Sequence, residues 1–257
     1  MISIVMTAFN RPVQLNATLR SIYAQSENVD VVVVDDGVDD ALTQGVCDSW
    51  GARYFKFIRP AATTYRNPAR PINFGIRQTH GDIVVLQNAE CMHIDPEAIH
   101  KLTGAVTENN AVFARVLALN RDGSGDFFYC APEHTLASWG QPGGPPFFFC
   151  GAIRKSWFEK LHGFDEDYTG CGYDDNDFAD RLLAVGVKFV YTDILVHHQW
   201  HPQAGHYDFE PMRLLYEKKK ALMNSGTIGT VRNLDREWGH DESSHRHYVL
   251  PSSLRKS

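Results

Sequence analysis

No Cys-x-x-Cys pair occurs in this chain, and its 5 cysteines (Cys47, Cys91, Cys130, Cys150 and Cys171) are odd in number and widely spaced. That pattern builds neither a structural zinc knot nor a disulfide framework, so reduced thiols in a cytoplasmic compartment are expected. No apolar run approaches the roughly 18 residues needed to cross a bilayer. Residues 1–6 turn polar too soon for a signal peptide. A soluble protein with no transmembrane segment is expected. Excess positive charge is lacking too: 25 Lys and Arg against 31 Asp and Glu leave a net charge of −6, so no global field draws the chain to nucleic acid or anionic lipid. The short run Lys218-Lys219-Lys220 reads as a solvated helix face. No internal repeat is visible.

What the chain does have is a regular alternation of strands and helices. Of its 257 residues 43% are hydrophobic, enough for one generous α/β domain. Ile2 to Met6 reads as a strand, and Asn10 and Pro12 suit the start of a helix carrying Leu15, Leu19 and Ile22. Val31 to Val34, four β-branched residues without alternation, fits a strand buried on both faces. Helices are expected around 42–50, 69–80 and from Asp95-Pro96-Glu97 onward, and strands at 54–58, 82–87 and 111–119. Such alternation implies a mostly parallel sheet covered on both faces, with ligands at the carboxyl ends of its strands. Residues 121–150 are rich in Gly, Pro and aromatics, a long irregular stretch of the kind that serves a function. A helix is expected to resume at Ile153, another to open at Asp174, a strand to cover 187–191, and a helix 209–224, before a poorly ordered polar tail.

Several residue groups carry chemistry at these positions. Asp35-Asp36-Gly37 ends one strand, where a carboxylate either caps a loop or accepts hydrogen bonds from a nucleoside. Asn88-Ala89-Glu90 ends another, and Glu90 offers a hard oxygen ligand for a divalent cation bridging a diphosphate. His198 and His201, with His197 beside them, follow a late strand and suit a manganese-class ion. Asp174-Asp175-Asn176-Asp177 opens a helix. One anion there serves the helix dipole, but three in four positions repel one another, and such crowding raises a carboxyl pKa toward that of a general base. Phe147, Phe148, Phe149, Trp157 and Trp200 are either core under a loop or a sugar-stacking wall.

In order and spacing these segments resemble the GT-A nucleotide-sugar glycosyltransferases, especially the family 2 group. Residues 3–11, SIVMTAFNR, look like that family's first strand and turn, and Val33-Val34-Asp35-Asp36-Gly37 looks like its "V-V-D-D-G-S" segment. Asn73-Phe74-Gly75 and Gly81-Asp82-Ile83 resemble its approach to an Asp-x-Asp motif, whose two positions fall on Asn88 and Glu90. Gly163-Phe164-Asp165-Glu166 and Gly170-Cys171-Gly172-Tyr173-Asp174-Asp175 resemble a C-terminal motif shared with galactosyltransferases, and His198-Gln199-Trp200-His201 its late histidine segment. The match spans residues 2–202.

The resemblance implies an α/β GT-A domain over residues 1–225, divided into a nucleotide-sugar-binding half (1–120) and an acceptor-binding half (121–225), with a tail at 226–257. It implies that Thr7, Phe9, Asn10 and Asp36 hold the nucleoside, that Arg66 or Arg70 and Asn88 face the diphosphate, and that Glu90 with His198 or His201 binds Mn2+ or Mg2+. Asp175 is the implied general base beside Asp174, in an inverting transfer. Phe149, Gly151, Cys171 and Trp200 fall on the acceptor side. A UDP-sugar donor is expected ahead of a GDP-sugar, with a glycan or other hydroxyl as acceptor and a glycosylated DNA base as a remote case. Asn88 and Cys171 depart from the family's Asp and Trp. Two rival readings stay open: a sugar-phosphate nucleotidyltransferase, which needs a Gly-rich basic loop that residues 7–12 lack, and a non-catalytic carbohydrate- or nucleotide-sugar-binding protein.

Overall fold

The computed structural model describes residues 1–25, 28–37, 41–58, 67–121, 125–128, 148–202, 208–240 and 245–246. Arg66, Phe147, Cys130 and most of the irregular stretch 121–150 lie outside them. Strands β1 (Ile2–Ala8), β2 (Val29–Asp35), β3 (Arg53–Lys56) and β4 (Ile83–Gln87) form a parallel block in the order β3-β2-β1-β4. Helices α1 (Pro12–Tyr23), α2 (Ala41–Trp50) and α3 (Ala69–Arg77) connect them. Successive residues of β1 and β2 serve opposite faces of this block. Ile4, Met6, Val31 and Val33 pack with Leu15, Leu19 and Ile22 of α1, whereas Val5, Val32 and Val34 pack with Ile72, Phe74 and Ile76 of α3. Burial on both faces explains the unalternated valines. A Cβ on Gly75 would lie 2.8 Å from Val5 and 2.9 Å from Val34, so glycine lets α3 lie directly on the sheet.

Past β4 the sheet becomes mixed. β8 (Cys150–Arg154) runs antiparallel to β4 and to β6 (Asn110–Leu119), and β9 (Lys188–His198) runs parallel to β6. β5 (Cys91–His93) is antiparallel to β9, β7 (Gly125–Phe128) pairs with β6, and β10 (His245–Arg246) edges β3. Helix α4 (Ala98–Gly104) covers the α1 face; α5 (Lys155–Leu161) and α6 (Asp174–Ala184) cover the α3 face. Helix α7 (Glu210–Asn224) follows.

Four expectations need correction. Residues 150–154 are a strand, and the helix begins only at Lys155, because the segment inserts between β4 and β6 and takes its geometry from their ladders. β9 runs on to His198, so His197 and His198 end the strand rather than follow it, and only His201 comes after it. The region beyond 225 is packed through residue 240: Arg232, Asn233 and Trp238 are buried. Lys219 is not on a solvated face either; its Nζ lies 2.5 Å from Asp165 Oδ2 and 2.7 Å from Asp167 Oδ2.

The centre of the second half is a buried ionic lattice. Arg181, fully buried, donates to Asp177 Oδ2 (2.6 Å) and to the carbonyls of Leu161 (3.1 Å) and Gly163 (2.9 Å). Arg232 donates to Asp177 Oδ1 (3.0 Å) and lies 3.2 Å from Asp165. Asn73 of α3 joins this half to the parallel block. Its amide nitrogen donates to Phe164 O (2.8 Å) and Glu166 Oε1 (2.9 Å), and its oxygen accepts the Phe164 N–H (2.7 Å). Cys47, Cys91, Cys150 and Cys171 are buried free thiols, and burial pushes Cys150 up to about 12. No helix among the described residues is long and apolar enough to cross a membrane.

Candidate functional site

The carboxyl ends of β1 and β2 lie side by side, with Ala8 opposite Asp35 in register and the Asp36 N–H donating to Ala8 O at 3.1 Å. The two aspartates divide the work there. Asp35, wholly buried, accepts from Gly37 N (2.8 Å) and Tyr54 Oη (3.1 Å) and has Lys56 Nζ at 3.7 Å, so its carboxylate staples the turn. Asp36, 4% exposed, follows directly after the end of β2. Asn10 does not cap α1. It takes a left-handed φ of 54° against Gly37, where a Cβ would strike the Asn10 side chain, and the helix starts from Arg11 with no side-chain cap. Asn10 thus shapes the turn after β1. Arg70, half exposed, has its Nε 3.9 Å from Glu166.

A second group gathers where β4 ends. The Asn88 N–H donates to Phe149 O (3.0 Å), and the Phe149 ring meets His198 edge-on at 5.8 Å. Cys91 pairs with His198 in register, which sets Glu90 beside the end of β9. The Glu90 carbonyl accepts both the Gln199 N–H (3.0 Å) and the Gln199 side-chain amide (3.1 Å), and that amide also reaches Gln14 O (3.0 Å) and Thr18 Oγ1 (3.1 Å) of α1. The start of α1, the 88–90 turn and residues 198–200 are therefore laced together. His201 completes the group, its ring 5.2 Å from that of His198. Burial holds His198 below its ordinary pKa, which leaves its ring neutral and fit to donate a lone pair.

Below this turn Gln87 and Gln25 clamp His93: Gln87 Oε1 lies 2.9 Å from Nε2, and Gln25 Nε2 lies 3.0 Å from Nδ1. Burial lowers His93 to about 4. Its neutral ring therefore serves as part of the support, donating from Nε2 and accepting at Nδ1.

Glu90, 4% exposed, is ion-paired to the Arg11 guanidinium. Among the described residues no three His, Cys, Asp or Glu side chains form a ready-made metal cage. Cations that work on diphosphates commonly take one or two protein ligands and complete their shell with phosphate oxygens. A buried carboxylate oxygen ligand next to a neutral imidazole fits such a two-ligand site.

The third group is the start of α6. Tyr173, with φ 68°, is the residue that caps the helix, and Asp174, Asp175 and Asp177 fill its first turn. Asp177 belongs to the ionic lattice. Asn67, 1% exposed, holds Asp174: its amide donates to Asp174 Oδ1 (3.0 Å) and to Gly170 O (2.9 Å) while its oxygen accepts from Ala69 N (2.8 Å). Burial pushes Asp174 up to about 6, and burial together with the Asp174 charge pushes Asp175 well above the usual carboxylate range. Phe148 and Phe149 link this helix to the second group. Phe149 lies on His198, and the Phe148 ring packs 5.5 Å from Phe178, one turn into α6.

Trp200 is 42% exposed with the Arg121 guanidinium 5.6 Å from its ring centre. Cys171 is buried, and Gly151 has a packing reason: a Cβ there would come within 2.7 Å of the Phe113 ring. Arg11 and Gln199 fall inside recognisable segments and Asn67 in none, but nothing in the sequence marks their partners, which lie 79, 109 and 107 positions away.

Residues 3–162 match glycosyl transferase family 2, and residues 135–203 match the family described as N-terminal domain of galactosyltransferase. Among curated proteins the chain is similar to hyaluronan synthase of Pasteurella multocida, 23% identical over 245 residues that cover 78% of this chain and 25% of that protein. It is also similar to O-antigen biosynthesis protein RfbC of Myxococcus xanthus, 25% identical over 223 residues, 77% of this chain and 17% of that protein. The chain thus spans a quarter or less of the length of these relatives. Among solved structures, the mannosyltransferase PcManGT from Pyrobaculum calidifontis in complex with GDP-Man and Mn2+ superposes with a TM-score of 0.57 at 16% identity, covering 89% of this chain and 64% of that one. S. aureus TarS 1-349 gives 0.52 at 14% identity, covering 77% and 60%. These likenesses bear out the α/β GT-A architecture. With the family match running from β1 through α5, over more than half of its residues, the chain belongs to glycosyl transferase family 2.

Proposed function

We propose that this chain transfers a sugar from a nucleoside-diphosphate donor to an acceptor hydroxyl with inversion, with Asp175 as general base and a divalent cation, Mn2+ or Mg2+, held by Glu90 and His198 or His201. The observation that carries the reading is the Asp174–Asp175 pair. Burial and mutual repulsion raise the proton affinity of Asp175, as a group that must take a proton from a hydroxyl near neutral pH requires. Asp174, fixed by Asn67, supplies the neighbouring charge. Thr7, Phe9, Asn10 and Asp36 receive the nucleoside at the ends of β1 and β2, with uridine favoured over guanosine, and Asn88, with Arg66 or Arg70, faces the diphosphate. Phe149 and Trp200 border the acceptor, a glycan or another hydroxyl compound. When bound, the cation would offset the charge developing on the departing nucleoside diphosphate. The family match and a structural neighbour solved with GDP-Man and Mn2+ support this reading. Four buried free thiols fit a reducing, cytoplasmic setting.

The test is Asp175→Asn with a panel of UDP- and GDP-sugars. Donor binding by calorimetry is expected to persist while turnover is lost; near-normal turnover would remove Asp175 as the base. One observation favours a second reading, a nucleotide-sugar-binding protein without catalysis: Arg11 already neutralises Glu90. Slow donor hydrolysis in Mn2+ separates the two, because a pure binder releases no free sugar.

A further inference from the structure

The buried Glu90 carboxylate has a resident cation of its own. Its partner, Arg11, is the residue from which α1 starts, and its side chain is 20% exposed against 5% for Glu90. The guanidinium is therefore the more accessible member of the pair, bound to a carboxylate that is otherwise almost closed off. Glu90 itself cannot follow a retreating arginine. Its backbone is pinned by two hydrogen bonds from Gln199, which is anchored in turn on Gln14 and Thr18 of α1. Cys91 pairs with His198 in register, so the imidazole-bearing end of β9 lies beside the turn that carries Glu90, with the His201 ring 5.2 Å from that of His198.

We infer that Arg11 is a built-in competitor for the divalent cation: it occupies Glu90 in the empty protein and must leave the carboxylate for the metal to bind there. The inference rests on the assignment of Glu90 as a cation ligand. Physically, a buried carboxylate is costly without a positive partner, and Arg11 removes that cost when no metal is present. A metal arriving alone meets a neutralised ligand and has to displace a charge-assisted hydrogen bond. A metal arriving with a nucleoside diphosphate meets a better balance, because the diphosphate oxygens both fill the coordination shell and accept the released guanidinium, which suits planar phosphate recognition. Metal and donor binding are thereby coupled, each favouring the other.

The test measures Mn2+ binding itself, by electron paramagnetic resonance of the free ion, on the full chain with and without UDP or GDP. Wild type is expected to bind Mn2+ weakly alone and more tightly with nucleotide. Arg11→Gln is expected to bind Mn2+ alone about tenfold more tightly, the ratio expected when one charge-assisted hydrogen bond no longer competes, and to show a smaller gain on adding nucleotide. Arg11→Met, which keeps an apolar stem, carries the same expectation should the glutamine variant fold poorly. Glu90→Gln is the control for the underlying assignment. If Glu90→Gln abolishes Mn2+ binding while both Arg11 variants match wild type or bind more weakly, the competitor role is overturned and the metal site stands. If Glu90→Gln leaves Mn2+ binding unchanged, or no variant binds Mn2+, both fall together.

Discussion

Replacing Asp177 by asparagine separates the structural from the chemical members of the acidic cluster. Asp177 accepts from Arg181 at 2.6 Å and from Arg232 at 3.0 Å, and both guanidiniums are buried. Asparagine keeps one acceptor oxygen but removes the charge that both cations hydrogen-bond, leaving Asp165 to face Arg232 at 3.2 Å. Breaking a buried ion pair from one side costs about 3–5 kcal/mol; the retained oxygen places this change near the lower end, about 3 kcal/mol. For a chain of this size each kcal/mol moves Tm by about 2–4 °C, so a fall of about 6–12 °C is expected. The assay is thermal unfolding by circular dichroism, run beside Asp175→Asn. The second change removes a carboxylate whose ionised form the fold disfavours, so its Tm is expected to stay level or rise while turnover collapses. If Asp177→Asn melts within about 2 °C of wild type, less than the shift from a single kcal/mol, the lattice is not what holds the second half together.

Two further outcomes concern proton binding. The acid limb of the pH–rate profile is expected at about 6 or above, since activity appears only as pH rises through the raised Asp174 and Asp175 values, and Asp174→Asn should move it to lower pH by removing a like charge; a limb in the ordinary carboxylate range would refute the assignment of the base. His93, lowered from 6.5 to about 4 by burial, binds protons more readily unfolded than folded, so its stabilising share is full above 6.5, is lost as pH falls to about 4, and amounts to about 3 kcal/mol. Urea unfolding at pH 7 and pH 4.5 should show a smaller acid loss in His93→Gln than in wild type; equal losses would discount the buried histidine.

The parallel block was legible because its signals are local: unalternated valines, helices of plain periodicity, and aspartates where strands end. The strand 150–154 was not, since Cys-Gly-Ala-Ile-Arg has no period of its own and is extended only because β4 and β6 flank it. The packed segment 226–240 hid for the same reason. Arg232 and Asn233 look like ordinary polar residues until Asp177, Asp165 and the Phe164 carbonyl are brought to them. Within the site, Glu90, His198 and Asp175 stood out by motif, whereas Arg11, Asn67 and Gln199 act through partners that sequence distance conceals. Asp35 and Asp36 look equivalent as letters; the Tyr54 and Lys56 contacts that give Asp35 its structural role appear only in the fold.

Asn73 has a mechanical consequence. Its amide, wholly buried, is held through both nitrogen and oxygen by residues 164 and 166, and its neighbour Glu166 also takes the Gly239 N–H at 2.7 Å. Sliding the second half over α3 would strand the Asn73 amide and the Phe164 N–H away from water at once, while the Phe164 carbonyl and Glu166 would keep Asn233 and Gly239 as partners. The register of α3 against residues 164–166 is therefore set by a single side chain.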